Sequence, residues 1–179
     1  MKLGLRRSEI AGLKWGAIDF NEDTLTVQHT VVRVSTVIAK DRTKNKSSYR
    51  VLPLEPDVKT YLLKLRAQQS QAKLIMGPGY QDTEYICRWP DGHVVNPSYL
   101  SSAFKDLLLK CGLPEGTRLH DLRHSFASYL IKAGCPMKEI SDLLGHSDIG
   151  TSMNIYGHLD MSAKKKAMGQ LSELLAVNV

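Results

Sequence analysis

The chain reads as an α+β domain, mainly α, with a small antiparallel β-sheet near the amino end. Three observations predict this. Apolar residues recur at three- and four-residue spacing over most of the length. Alternating, β-branched residues are confined to residues 24–34 and 49–54. Breakers such as Gly77-Pro78-Gly79 and Gly134-Cys135-Pro136 separate the periodic segments. At 179 residues and 42% hydrophobic, the chain has enough apolar surface for a single domain with a real core. Its formal charge of +6 suggests a polyanionic partner. Cys87, Cys111 and Cys135 are widely spaced and form no C-x-x-C pair, so neither a disulfide framework nor a zinc ribbon is indicated. They read as reduced thiols in a cytoplasm. No apolar run approaches a membrane span and no signal peptide leads the chain, so no membrane partner is expected.

A first helix opens almost at once, with Ser8 as its cap and Ile10, Leu13 and Ala17 as its buried positions. Strands follow in Thr24-Leu25-Thr26-Val27 and in residues 30–34, bounded by the turn Asn21-Glu22-Asp23. A partner strand runs from Tyr49 to Leu54. Residues 40–50 lie between, with cations at Lys40, Arg42, Lys44, Lys46 and Arg50 against the single acid Asp41. This is either a solvated hairpin tip or a finger laid along nucleic-acid phosphates. A helix from Pro56 carries Val58, Leu62 and Leu65 along one side and ends at Gly77-Pro78-Gly79. Tyr85-Ile86-Cys87 reads as a short strand. Asn96-Pro97 then starts a helix through Leu109, with Leu100, Phe104, Leu107 and Leu108 inward. Ser98, Ser101, Ser102 and Lys105 are candidates for phosphate contact.

Residues 117–158 hold four of the six histidines. Leu122, Phe126 and Tyr129/Leu130 give one apolar helical face, while His120 and Arg123 stand three apart and are expected to project together from another. After Gly134-Cys135-Pro136 a short helix runs from Lys138 to Leu144, with Ile140, Leu143 and Leu144 as its stripe and Gly145 as its cap. His146 stands just beyond the cap. Tyr156 follows a run of small residues, and residues 161–175 have the pattern of a last helix.

In order, type and spacing, Gly4-Leu5-Arg6-x-Ser8-Glu9, Thr43-Lys44-x-Lys46, His120-x-x-Arg123, Leu143-Leu144-Gly145-His146-Ser147 and Tyr156-Gly157-His158 resemble the signature of the tyrosine recombinases, the phage integrase family. The resemblance implies that family's catalytic-domain fold over residues 1–179, with a core to residue 160 and a tail helix in 161–179. It also implies that the amino-terminal core-binding domain is absent and that the catalytic domain is amino-terminally truncated. The residues it implies to be catalytic are Arg6, Lys44, His120, Arg123, His146 and Tyr156, supported by Glu9, with Arg42, Lys46 and Arg50 along the DNA. Tyr156 would be the nucleophile, His120 its base and Lys44 the acid. The two arginines and His146 would hold the phosphate. No metal, cofactor or ATP is required in such a scheme. The implied partner is double-stranded DNA, bound by a homo-oligomer, a tetramer on paired sites, in the cytoplasm of a bacterial or phage-infected cell.

Two rivals stand beside this reading. His120 and His124 have the i, i+4 spacing of a zinc helix, but Arg123 between them disfavours a dication, Asp121 stands where such helices carry Glu, and a third ligand is not evident. The stronger rival is a DNA-binding module without catalysis. Residues 138–155 could pass for a helix-turn-helix, and an inactive integrase remnant would look the same. Binding alone leaves the joint occurrence of Arg6, Lys44, His120 and Arg123 unexplained.

Overall fold

The computed structural model describes residues 2–32, 49–146, 150 and 168–169 in full, and the backbone alone of 33 and 37–40. Five strands and five α-helices are described: β1 (Ile18–Asp19), β2 (Thr24–Val27), β3 (Thr30–Arg33), β4 (Val37–Lys40) and β5 (Arg50–Pro53), with α1 (Arg7–Gly12), α2 (Pro56–Met76), α3 (Pro97–Lys110), α4 (Asp121–Lys132) and α5 (Met137–Leu144). The strands pair antiparallel, as β1-β2-β5 and as β3-β4. In β2 and β5 the register sets Leu25 opposite Leu52 and Val27 opposite Arg50. Because side chains alternate across a strand, Arg50 and Leu52 are both buried while Val51 and Pro53 face out.

One core lies under this sheet. Leu25, Val27, Leu52, Leu54 and Ile18 pack with Leu62 of α2 and with Ile86, and Leu3, Leu5, Val58 and Leu65 close its edges. Each fully buried leucine there stabilises by roughly 1.5–3 kcal/mol. A second cluster joins α4 to α5 through Ala127, Ile131, Ile140 and Leu144. The chain between α2 and α3 is tied back by Ile86 N–H to the Leu13 carbonyl at 2.8 Å and by Gln69 Nε2 to the Ile86 carbonyl at 2.9 Å. Among the described residues, no helix is long and apolar enough to cross a membrane.

Several local expectations are corrected. Ser8 does not cap α1: the Glu9 carboxylate reaches back to the Arg6 N–H at 2.8 Å and closes the first turn. The helix also ends at Gly12, well before Ala17, where Leu13 turns to an extended backbone; Gly12 lies so close to the chain entering β3 that a Cβ there would sit 2.7 Å from the His29 carbonyl oxygen. Leu107 and Tyr129, expected inside, are exposed, and α4 buries Arg123, Ala127 and Ile131 instead. Asn96 does cap α3, its side chain accepting from Ser98 N–H at 3.0 Å. The helix expected at 161–175 lies almost wholly outside the described residues.

Candidate functional site

A carboxylate that is 2% exposed is stable only when its charge is matched, and Glu9 is matched by arginines from three elements. Arg6, at the start of α1, donates Nη1 to Glu9 Oε1 at 2.8 Å. Arg50, on β5, places Nη1 and Nη2 on the two carboxylate oxygens at 3.1 and 3.0 Å. Arg123, in the first turn of α4, brings Nη1 to 4.0 Å of Oε2. Burial alone would raise the Glu9 pKa. The hydrogen bonds and charge of Arg50, with the Arg6 N–H and guanidinium, outweigh it and hold the pKa below the usual carboxylate value.

Gly4, Leu144 and Gly145 supply the carbonyls that aim Arg6 and Arg123. Gly4 has φ +55°, and a Cβ there would lie 2.6 Å from the Phe126 ring. Its carbonyl accepts Arg123 Nη1 at 2.6 Å, while Arg123 Nη2 donates to the Leu144 carbonyl. Gly145 ends α5 in the left-handed region at φ +65°, and its carbonyl accepts Arg6 Nη2 at 3.0 Å. The same cap fixes His146, whose N–H bonds the Ser141 carbonyl at 3.1 Å. The arginine, histidine and glycine motifs, more than a hundred residues apart in the chain, therefore meet through backbone carbonyls.

His120 stands at the start of α4 and is exposed, and it shares with Arg6 a groove of about 650 Å³. Arg7, Ser101, Lys105 and Arg118 line the same groove, so cations extend away from Arg6 along it. Partial burial lowers the His120 pKa, and His124, Arg123 and Arg6 lower it further. His146 is half-buried, and burial together with Arg123, Arg6 and Arg50 pushes its pKa down to about 4. Both rings are thus neutral near pH 7. His120 can accept a proton, and His146 has one N–H to donate while adding no charge beside the arginines.

These shifts fix the expected acid response. Free histidine titrates near 6.5, so the unfolded chain takes up this proton before the folded one does, and stability falls as the pH drops from 6.5 toward about 4. The contribution of Glu9 has the same direction: it is present above 4.5 and is lost as the pH falls through the depressed folded value. Urea midpoints should therefore decline from pH 7 to pH 4. In NMR titrations the His146 ring should move from about 4 to a higher value when inorganic phosphate is added, since a bound anion favours imidazolium. A His146 that titrates near 6.5 without anion would contradict this geometry.

Arg6, Glu9, His120, Arg123 and His146 are thus brought together. Arg50 corrects its expectation: at 8% exposure it does not lie along a DNA surface but donates to Glu9 and, through Nε, to the Leu143 carbonyl at 2.7 Å. Lys44, Arg42, Lys46 and Tyr156 lie outside the described residues. The inward place of Arg50 was available from its alternation with Leu52 and Leu54, whereas carbonyl partners leave no signal in side-chain identity.

Residues 1–163 match the profile of the phage integrase family. A tyrosine recombinase XerC-like protein of Caldanaerobacter subterraneus subsp. tengcongensis is 33% identical over 183 residues, which takes in 96% of this chain and 46% of that protein. The transposase of transposon Tn916 from Enterococcus faecalis is 26% identical over 179 residues, with 97% and 44% covered. The solved Tn1549 transposon integrase, in complex with transposon right end DNA, shares the fold with a TM-score of 0.80 at 23% identity, over 96% of this chain and 56% of that one. The chain spans about half the length of the relatives it matches.

Proposed function

This chain belongs to the phage integrase family, and from that premise we propose that it cuts and rejoins DNA at specific sites through a 3′-phosphotyrosyl intermediate. The observation that carries the proposal is the convergence of Arg6 and Arg123 on buried Glu9, with His146 on the turn whose carbonyls hold both arginines and a cationic groove opening beside Arg6. A phosphodiester repels nucleophiles because its oxygens are anionic, so catalysis requires donors aimed at the charge that builds in the transition state. Guanidinium groups meet this requirement, being planar, permanently charged and able to bond two oxygens at once.

In the proposed step, the Tyr156 oxygen attacks the phosphorus and the bond from phosphorus to the 5′ oxygen breaks. The phenolic proton passes to neutral His120, and Lys44 protonates the departing 5′ oxygen. One phosphoester bond forms as another breaks, so a 5′-hydroxyl from a second strand reverses the step without ATP. His146 donates a hydrogen bond to a phosphoryl oxygen. Copies of the chain act as an oligomer, a tetramer on paired sites, with residues 1–160 as the catalytic core and 161–179 as a tail. The setting is the cytoplasm of a bacterial or phage-infected cell. A binding module alone would need the basic groove but not three arginines spent on one interior carboxylate, and this favours the enzyme.

The test is covalent trapping. The chain is incubated with nicked duplexes drawn from the ends of its element, and a denaturant-resistant adduct is sought in which the protein carries the 3′ end of the cut strand. Salt-sensitive binding without any adduct would leave the binding-module reading in its place.

A further inference from the structure

The proposed reaction gives Arg50 no part, yet its burial is costly. Removing a guanidinium from water costs several kcal/mol, and an apolar residue at this inward strand position, beside Leu52, would supply the packing without that cost. What Arg50 provides is connection. Its fork spans both oxygens of Glu9 at 3.1 and 3.0 Å, its Nε holds the Leu143 carbonyl at 2.7 Å, and it packs so tightly on Gly145 that a Cβ there would lie 2.8 Å from Nη1. On one side of it is the carboxylate that orients Arg6. On the other is the turn whose carbonyls, Leu144 and Gly145, orient Arg123 and Arg6.

We infer that Arg50 is a positioning residue of the anion site: by joining Glu9 to the Leu143–His146 turn, it holds Arg6, Arg123 and His146 toward one phosphoryl group. This inference rests on the recombinase reading for its chemical consequence, but its geometric content stands apart from that reading. A lysine keeps the charge but presents a single point donor, which cannot span two carboxylate oxygens and a carbonyl.

The experiment compares the wild-type chain with Arg50→Lys and Arg50→Met in three measurements: inorganic phosphate affinity, read on the His146 ring by NMR; single-turnover adduct formation at saturating nicked DNA; and DNA affinity. Both variants are expected to form adduct about 10²-fold more slowly, the order of loss that follows small misplacement of catalytic groups. Phosphate affinity should fall about tenfold, as when outer partners of a site are removed, with DNA affinity unchanged. Arg50→Lys at the wild-type rate and phosphate affinity would overturn the inference, since charge alone would then suffice. A parallel fall in DNA affinity would overturn it too, making Arg50 a direct DNA contact. Should both variants fail to fold, Gly145→Asn retains the arginine and tolerates the left-handed backbone but shifts the guanidinium, which a Cβ there would meet at 2.8 Å. It must then show the same losses, and wild-type behaviour would overturn the inference. If the wild-type chain forms no adduct, the recombinase reading fails, and phosphate affinity alone decides for or against Arg50.

Discussion

Tyr156→Phe is expected to abolish the covalent adduct entirely while DNA affinity stays at the parent level. The substitution removes one oxygen, and that oxygen is the only atom through which this side chain can bond phosphorus. The result separates two kinds of catalytic loss. At neutral pH a phenol of pKa ≈ 10 is about one part in a thousand ionised, a deficit of roughly 4 kcal/mol that a base must offset as attack proceeds. Because His120 has a lowered pKa and is neutral at pH 7, it can accept that proton. His120→Gln should therefore slow adduct formation by roughly 10²–10⁴-fold, the usual worth of a positioned base, without eliminating it. Tyr156→Phe should leave nothing to slow. The check is a denaturing gel, followed by mass spectrometry of the peptide that carries the nucleotide. An adduct that persists in Tyr156→Phe would move the nucleophile to another residue.

The fold was legible where local chemistry and packing agree. The α+β expectation holds because β2 and β5 alternate, α3 has its Asn96 cap and Pro97, and α5 has Gly145 where a left-handed residue is needed. The misses share a cause. Strand β1 has two residues, too few for any period, and in β4 the apolar run Val37-Ile38-Ala39 is equally short of one. Leu107 and Tyr129 keep the helical spacing of their buried neighbours, yet the surfaces that α3 and α4 pack against stop short of them. Periodicity shows which face of a helix is apolar, not how far the covering element extends.

The site was legible through motif spacing, and its internal logic was not. His120 and Arg123 were expected on one helical face, but His120 precedes the first turn and remains exposed whereas Arg123 is buried. His120 keeps helical dihedrals, φ −68° and ψ −26°, so the spacing does set the two side chains on neighbouring positions; it does not set them at equal depth. Glu9 was expected as a supporting carboxylate. Its contacts with Arg50 and Arg123 depend on β5 and α4 folding over α1, and no window of sequence contains that. The glycine motifs gain a physical reason in the structure, since Gly4 and Gly145 turn their carbonyls toward Arg123 and Arg6.

Arg123→Lys should lower adduct formation by roughly 10²–10³-fold, the loss typical of one donor aimed at a developing anion. The substitution keeps a positive charge, so the size of the loss measures geometry. Arg123 bonds the Gly4 carbonyl with Nη1 and the Leu144 carbonyl with Nη2 while 4% exposed, and an ammonium on a single-ended stem cannot reach both. One buried carbonyl is then left without its donor, at a cost of about 1–3 kcal/mol. A domain stable by roughly 5–15 kcal/mol remains folded after that loss. Stability and catalysis can therefore be read separately: urea midpoints should fall modestly while the rate falls by orders of magnitude. Were the rate unchanged at a lowered midpoint, Arg123 would be a structural brace between Gly4 and α5, and the phosphoryl clamp would have to be rebuilt around Arg6 and His146 alone.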